Sequence, residues 1–122
     1  GVFLPVRSGG AMLVDGGVTS LVPVHAARAL GADLVIAVDI YCHGPQYPSN
    51  TVASMWPMVS QVQSCLLSRQ EAGSADVLIA PAIAPAGMSD AEGRETARRR
   101  GYEAPTAALP TIPAAMRHQG FP

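Results

Sequence analysis

A chain of 122 residues has room for one domain. It is 48% hydrophobic and only 14% charged, whereas an average soluble domain is about a quarter charged, so we expect much of its surface to be covered. The net charge of -1 excludes the strongly basic surface of a typical nucleic-acid-binding protein. The apolar stretches are far shorter than the roughly 20 residues that a membrane-spanning helix needs.

The chain begins Gly1-Val2-Phe3, with neither Met nor the basic and apolar regions of a signal peptide. We interpret it as part of a longer protein. Cys42 and Cys65 lack CxxC spacing, which favours a reducing compartment over a disulfide framework but leaves a bridge open. We therefore predict a cytoplasmic protein, with peripheral contact to a membrane left open.

The first third of the chain predicts a hairpin, a helix and a strand. Val6-Arg7 and residues 11–14 flank Ser8-Gly9-Gly10, which is typical of a β-hairpin. Pro23 can start a short helix that ends at Gly31. Residues 34–40 form a β-rich apolar run without alternation, which predicts a strand covered on both faces in a parallel sheet.

A loop at 44–50 precedes a second group of elements. Apolar residues recur at spacings of three and four over 51–69, which predicts a helix that Pro57 kinks or starts late. We expect the apolar stripe of this helix to pack on the sheet, although a helix touching a membrane is the alternative. Residues 75–80, followed by Pro81, predict another buried strand.

The last part predicts a helix and an irregular tail. Ser89-Asp90-Ala91-Glu92 matches a capping box that starts a helix running to about Arg100, and a short helical segment follows to residue 109. We predict one domain over 1–109 and an irregular tail over 110–122, where prolines accumulate. The alternation of helices with buried strands indicates an α/β fold with a largely parallel sheet.

The most informative motif is an aspartate at the exit of a strand. Asp15 follows Met12-Leu13-Val14 and precedes Gly16 and Gly17. Strand ends are where α/β folds place reactive groups. Glycines permit positive φ and close approach of another backbone, so this carboxylate can be held at a fixed point. The alternative is a simple turn.

A longer pattern surrounds this motif. It comprises Phe3-Leu4-Pro5-Val6, then residues 13–18, then Val22-Pro23-Val24 and residues 27–39, with later segments at 75–81 and 101–104. In order and spacing it resembles bacterial patatin-like phospholipases. The resemblance implies a three-layer α/β sandwich in which this chain is the C-terminal part.

The resemblance also implies a chemistry. Members of that family hydrolyse acyl esters of lipids with a Ser-Asp dyad, without metal or organic cofactor, and their aspartate maps onto Asp15. The carboxylate would accept the serine proton and return it to the leaving alcohol. Gly16 and Gly17 would support its position. The substrate would be an acyl lipid or another ester.

The chain departs from the family pattern in one decisive way. It has no Gly-x-Ser-x-Gly and no run of three glycines for an oxyanion loop. We therefore expect the nucleophile to lie in a missing N-terminal half or a companion chain, and this chain alone to be inactive. Ser20 stands where the family often has asparagine and can still cap the following helix.

Other residue sets allow weaker hypotheses. Asp15, Ser20 and His25 could be drawn as a triad, but no strained elbow presents Ser20. Cys42-His43 suggests a thiol or metal site, although adjacent residues on an extended segment point apart. The arginines at 94 and 98–100 could touch lipid head groups, but such a run is more often solvated helix surface, with Glu95 and Arg99 as an i, i+4 pair.

The alternative function is a nonenzymatic domain that binds protein or lipid. A Rossmann-type nucleotide binder is weaker, because the chain lacks GxGxxG. Exposed apolar sheet edges would favour partner binding or self-association.

Overall fold

The computed structural model describes residues 4–44, 51–84 and 90–120, apart from the side chain of Ser54. Its helices and strands, in chain order, are β1 (Val6–Ser8), β2 (Ala11–Leu13), α1 (Val24–Ala29), β3 (Ile36–Val38), α2 (Val52–Ala72), β4 (Val77–Ile79), α3 (Ala91–Ala108) and α4 (Ile112–His118). Short 3₁₀ turns occupy Gly16–Val18 and Leu109–Thr111. The architecture is mixed α/β. None of the described helices combines the length and hydrophobicity needed to cross a membrane.

The predicted hairpin is confirmed. β1 and β2 pair antiparallel, with Val6 opposite Leu13. Gly9 and Gly10 connect them with φ of 53° and 82°, a left-handed conformation that glycine adopts without the steric cost other residues incur. The hairpin leads directly into Asp15.

The predicted parallel pairing is also confirmed, in a two-stranded sheet of β3 and β4. Ile36 lies beside Val77 and Val38 beside Ile79. The expectation that β3 is covered on both faces is wrong: Ala37 is 5% exposed, but Ile36 is 44% and Val38 54% exposed. The described helices cover one face of β3 and leave the other open. The largely parallel, three-layer sandwich stays an expectation.

The core is small and lies between α1, the start of β3 and the end of α2. Its buried members are Val22, Val24, Val35, Ala37 and Ala72. Most of these side chains are small. Each fully buried side chain of valine size stabilises the fold by about 1.5–3 kcal/mol. A core this small therefore contributes the hydrophobic stabilisation of only a few side chains.

Two carboxylates hold α1 to distant parts of the chain. The Asp76 carboxylate accepts hydrogen bonds from the Val35 amide at 2.7 Å and from the Arg28 guanidinium at 2.5 Å. The Val35 amide, aided by Arg28, holds the pKa of Asp76 below its usual range against desolvation. Glu71, at the end of α2, accepts from the His25 amide at 3.0 Å and so caps the first turn of α1.

α2 begins at Val52 and continues through Pro57, so no late start is needed. Its predicted apolar stripe does not pack on the sheet: Val52 is 84%, Val62 44% and Leu66 59% exposed. The body of the protein instead contacts the opposite face, where Ser68 and Ala72 are buried. The apolar stripe, Val52, Met55, Val59, Val62 and Leu66, is therefore open surface.

The two cysteines form a disulfide, with Cα atoms 4.9 Å apart. The preference for free, reduced thiols was therefore wrong. The sequence separation of 23 between Cys42 and Cys65 gave no signal, because the loop after β3 and the middle of α2 meet only through the tertiary fold. The bridge removes the argument for a cytoplasmic location that rested on free thiols.

α3 is one continuous helix to Ala108, where a break near Arg100 was expected. Its N-cap is Asp90, whose carboxylate accepts from the Gly93 amide at 2.8 Å. Ser89, the predicted cap, lies outside the described residues. The tail is not irregular as predicted: a 3₁₀ turn and α4 follow, and each has a proline in its first turn, where the missing N–H costs no helical bond.

Candidate active site

Asp15 caps the 3₁₀ turn that follows the hairpin. Its Oδ1 accepts a hydrogen bond from the Gly17 amide at 2.9 Å, and its carbonyl accepts from the Val18 amide at 3.1 Å. The side chain is exposed. One carboxylate oxygen is thus held by the backbone, and Asp15 is among the residues that line the cavity described next.

The two glycines of the motif have different roles. Neither has a positive φ among the described residues, so that part of the expectation is wrong. A Cβ on Gly16 would meet nothing within 4 Å. A Cβ on Gly17 would lie 3.1 Å from Leu21 Cδ2 and 3.2 Å from Asp15 Oδ1. Only Gly17 is required for close approach.

A polar cavity of about 560 Å³ opens beside Asp15. The turn and its continuation supply one wall, including Gly17 and Ser20, and α2 supplies the other with Ser60, Gln63 and Ser64. This volume lies within the roughly 300–1,000 Å³ of ordinary ligand pockets. A carboxylate that lines a space together with serine and glutamine residues can accept a proton from a bound hydroxyl.

A second, more apolar cavity of about 490 Å³ adjoins the first. Ile40, Pro57, Ile83 and Ala97 contribute apolar walls, and Arg94 lies at its lining. The cavities share Tyr41, Ser60 and Ser64. These three residues therefore mark a junction between a polar and an apolar space.

The loop that carries Tyr41 is fixed by a buried carboxylate. Asp39 is 1% exposed; it accepts from the Tyr41 amide at 2.9 Å and pairs with His43 Nε2 at 3.0 Å. Burial raises the pKa of Asp39, but the Tyr41 amide, the nearby Ser68 hydroxyl and His43 outweigh it, so the pKa is lowered overall. The Cys42–Cys65 bridge then joins this loop to α2.

The structure does not bring together the residues of the triad and thiol hypotheses. His25 faces Glu71, with Nδ1 3.8 Å from the carboxylate, and Cys42 has no free thiol. The Ser20 hydroxyl is closed off from solvent and outside hydrogen-bond geometry with any described group. As a nearby dipole it nevertheless joins the His25 amide in lowering the pKa of Glu71. The structure gives no support to an Asp15, Ser20, His25 triad.

The arginines of α3 are largely paired with neighbouring carboxylates. Arg98 contacts Glu95 at 2.6 Å, and Arg99 contacts Glu103 at 3.1 Å. The sequence pointed to Arg99 as the partner of Glu95, but the hydrogen-bonded partner is Arg98. The Arg98 hydrogen bond lowers the pKa of Glu95, and the electrostatic attraction of Arg99 acts in the same direction. These exposed pairs contribute little stability, but they offset the positive charge available for anionic lipid.

Sequence reasoning found Asp15 and missed the other walls of its cavity. Ser60 and Ser64 are four residues apart and lie on one face of α2, so their spacing was a usable signal. The position of Tyr41 between the two cavities could not be predicted from the sequence, because it depends on the turn held by Asp39 and the disulfide bridge.

None of the known protein-family models matches the chain. The resemblance described above therefore rests on the quoted residues, with the Asp15-Gly16-Gly17 motif at their centre.

Proposed function

We propose that the chain is the aspartate-bearing part of a patatin-like lipid acyl hydrolase of phospholipase A, lysophospholipase or esterase type. Asp15 takes the proton of a serine hydroxyl as the serine oxygen bonds to the ester carbonyl carbon. The leaving alcohol receives that proton when the C–O bond breaks, and water then releases the acyl group by the same steps. No metal or organic cofactor takes part.

One observation carries this proposal. Asp15 stands at the exit of a hairpin, with one carboxylate oxygen held at 2.9 Å by the Gly17 amide, beside a cavity rimmed with hydroxyl groups. A fixed, accessible carboxylate next to a ligand-sized space is what a general base requires.

The nucleophile and oxyanion donors come from an N-terminal half or a companion chain, because the sequence contains no Gly-x-Ser-x-Gly. The surface supports such a partner. The hairpin, the open face of β3 and the α2 stripe expose large apolar side chains, among them Met12, Leu13, Val38 and Leu66. Apolar surface on this scale marks an interface.

The direct test replaces Asp15 in the intact native protein, including any companion chain. We expect Asp15→Asn to lower hydrolysis of p-nitrophenyl butyrate by at least about a hundredfold, since a general base contributes typically 10²–10⁴-fold. The fold should remain, as followed by circular dichroism. Asp33→Asn is the matched control, because Asp33 is another exposed aspartate outside the cavity. Equal activity in the two variants would refute the proposal.

The source of the serine is tested with a fluorophosphonate probe and intact mass measurement of every polypeptide present. Label on a longer chain or a second chain locates the nucleophile. A preparation that contains only a 12.6 kDa chain and takes up no label would mean that the chain is related to hydrolases but does not hydrolyse esters itself.

A second candidate function is lipid or protein binding without hydrolysis. The exposed α2 stripe, with Trp56 78% exposed beside it, favours this candidate. Sedimentation with phosphatidylcholine vesicles, with no ester turnover by the same preparation, would support it and a peripheral membrane contact.

A further inference from the structure

The Cys42–Cys65 bridge lies at the boundary of the cavity beside Asp15. Cys65 follows Ser64, which lines that cavity from α2, and Cys42 follows Tyr41, which lines it from the loop after β3. The bridge therefore joins two walls of the cavity by a covalent bond. Both cysteines are half-buried and keep part of their surface in contact with solvent, as attack by a thiolate on a disulfide requires.

The loop side of the bridge is held by contacts that do not involve sulfur. Asp39 is 1% exposed; it accepts from the Tyr41 amide at 2.9 Å and pairs with His43 at 3.0 Å. Gly44 lies so close to the Ile83 carbonyl that a Cβ at this position would collide with it. Because these contacts remain when the bridge is broken, the loop keeps its place.

The helix side depends more strongly on the bridge. Within the part of the chain that the structure describes, the buried residues of α2 are Ser68 and Ala72, both C-terminal to Cys65. The hydrogen bond between Glu71 and α1 lies on the same side. The described side chains of residues 52–64 are half-buried or exposed. The bridge is therefore the covalent anchor nearest to this part of α2.

A proline weakens the same part of α2. Pro57 lies inside the helix and has no N–H to donate to the carbonyl four residues earlier. Ser60 and Ser64, which form the α2 wall of the Asp15 cavity, belong to this segment. The less firmly anchored part of α2 thus carries the cavity wall.

We propose that the Cys42–Cys65 bridge is a redox switch of the Asp15 cavity. The oxidised form holds the α2 wall in place, and reduction by a dithiol releases it. Residues 52–64 then move away from the loop, and an ester is no longer held beside Asp15. This inference deepens the proposed function, on which only the consequence for hydrolysis rests.

The chemistry of the switch is thiol–disulfide exchange with a dithiol. One thiolate of the reductant attacks a sulfur of the bridge and forms a mixed disulfide, and the other cysteine leaves as a thiolate. The second thiolate of the reductant then breaks the mixed disulfide and releases the first cysteine. The bridge has gained two electrons, its cysteines take up the two protons that the dithiol lost, and the reductant ends as a cyclic disulfide.

Hydrogen–deuterium exchange of the intact native protein, with and without dithiothreitol, tests the switch without any need for hydrolysis. We expect amide exchange in residues 52–64 to become at least about tenfold faster on reduction, because exchange reports local opening. Exchange in residues 91–108 of α3 should not change. Alkylation and intact mass measurement show that the bridge is broken.

Two results of this experiment would overturn the inference. Unchanged exchange in residues 52–64 of the reduced protein would mean that the bridge does not hold the α2 wall. Equal acceleration in residues 91–108 would mean that reduction loosens the whole fold rather than one wall.

Cys42→Ser combined with Cys65→Ser is the matched control. Residues 52–64 of this variant should exchange rapidly with or without dithiothreitol. In the wild type, removal of dithiothreitol and addition of glutathione disulfide should restore slow exchange. A response of the double variant to the reductant, or a wild type that stays open after reoxidation, would contradict the switch.

Hydrolysis separates the switch from the dyad. Once dithiothreitol has been removed, we expect the reduced protein to show at least about tenfold lower kcat/KM for p-nitrophenyl butyrate, because a displaced wall misplaces the ester. Exchange that follows the redox state in a protein that hydrolyses no ester would remove the hydrolase and keep the switch. Hydrolysis that ignores the redox state, with the bridge shown to be broken, would keep the hydrolase and remove the switch.

Discussion

At the residue scale, the position of the Asp15 carboxylate depends on the absence of a side chain at Gly17. The Gly17 amide donates to Oδ1, and the space beside its Cα is filled by Leu21 and by the same carboxylate. Gly16 has no such neighbours. The two glycines therefore allow a matched comparison between one that touches the site and one that does not.

We expect Gly17→Ala to displace the carboxylate by a few tenths of an ångström and to lower ester hydrolysis by less than the roughly hundredfold that a misplacement of about 1 Å can cost. Gly16→Ala should keep activity. Initial rates with p-nitrophenyl butyrate, measured beside the urea midpoint of each variant, separate loss of activity from loss of stability. Equal rates in both variants would mean that the space left by the missing side chain at residue 17 does not matter for the position of the base.

A second prediction at this scale concerns Asp39. Because its folded pKa lies below the ordinary value, its stabilising contribution is fully present above the unfolded pKa of about 3.9. That contribution is lost as the pH falls through the lower folded pKa. Between pH 7 and pH 3 the melting temperature of the wild type should therefore fall further than that of Asp39→Asn.

Asp33→Asn provides the control substitution, since Asp33 is exposed. Its melting temperature should follow the wild type across the range. Parallel curves for Asp39→Asn and the wild type would show that the Tyr41 and His43 contacts do not stabilise the charged form.

At the element scale, the Cys42–Cys65 bridge holds the loop after β3 against α2. Among the described contacts of this loop, it is the covalent one, and it acts beside the Asp39 hydrogen bonds. The cross-link closes a loop of 23 residues in the unfolded chain. In the chain-entropy account, restricting that loop stabilises the folded state.

Reduction with dithiothreitol, or the double variant Cys42→Ser with Cys65→Ser, should lower the free energy of unfolding by about 3 kcal/mol. Urea denaturation followed by circular dichroism measures this change. The double variant should not respond to the reductant, which separates the bridge from other effects of thiols. A wild-type midpoint that ignores the reductant would contradict the bridge.

The sequence predicted elements better than the surfaces they present. Spacing of Val52 to Leu66 identified α2, but the rule that an apolar stripe faces the core chose the wrong face, since Ser68 and Ala72 are the buried residues. Hydrophobic periodicity indicates that one face of a helix is apolar, but it does not indicate which part of the protein, if any, packs against that face. The helical tail was equally hard to predict. Pro110 and Pro113 are typical of a loop, and only the structure shows that each lies in the first turn of a helical segment.

At the scale of the whole molecule, the described part of the chain has few buried side chains and many exposed apolar ones. Asp15 was predictable because a strand exit followed by glycines is a local pattern. The cavity beside it was not, since its walls come from residues 15–21, Tyr41 and α2, which only the tertiary fold brings together. The proposed partner half would complete both the cavity and the uncovered surfaces.

The cap that Glu71 gives to α1 has a consequence for the order in which structure forms. α1 has six residues, too few to be stable as an isolated helix in water, and its acceptor lies 46 residues away in sequence. The amide hydrogens of α1 should therefore exchange with deuterium as soon as α2 undocks. Protection in this helix measures docking between distant segments, and we expect it to be the last helix to form and the first to open.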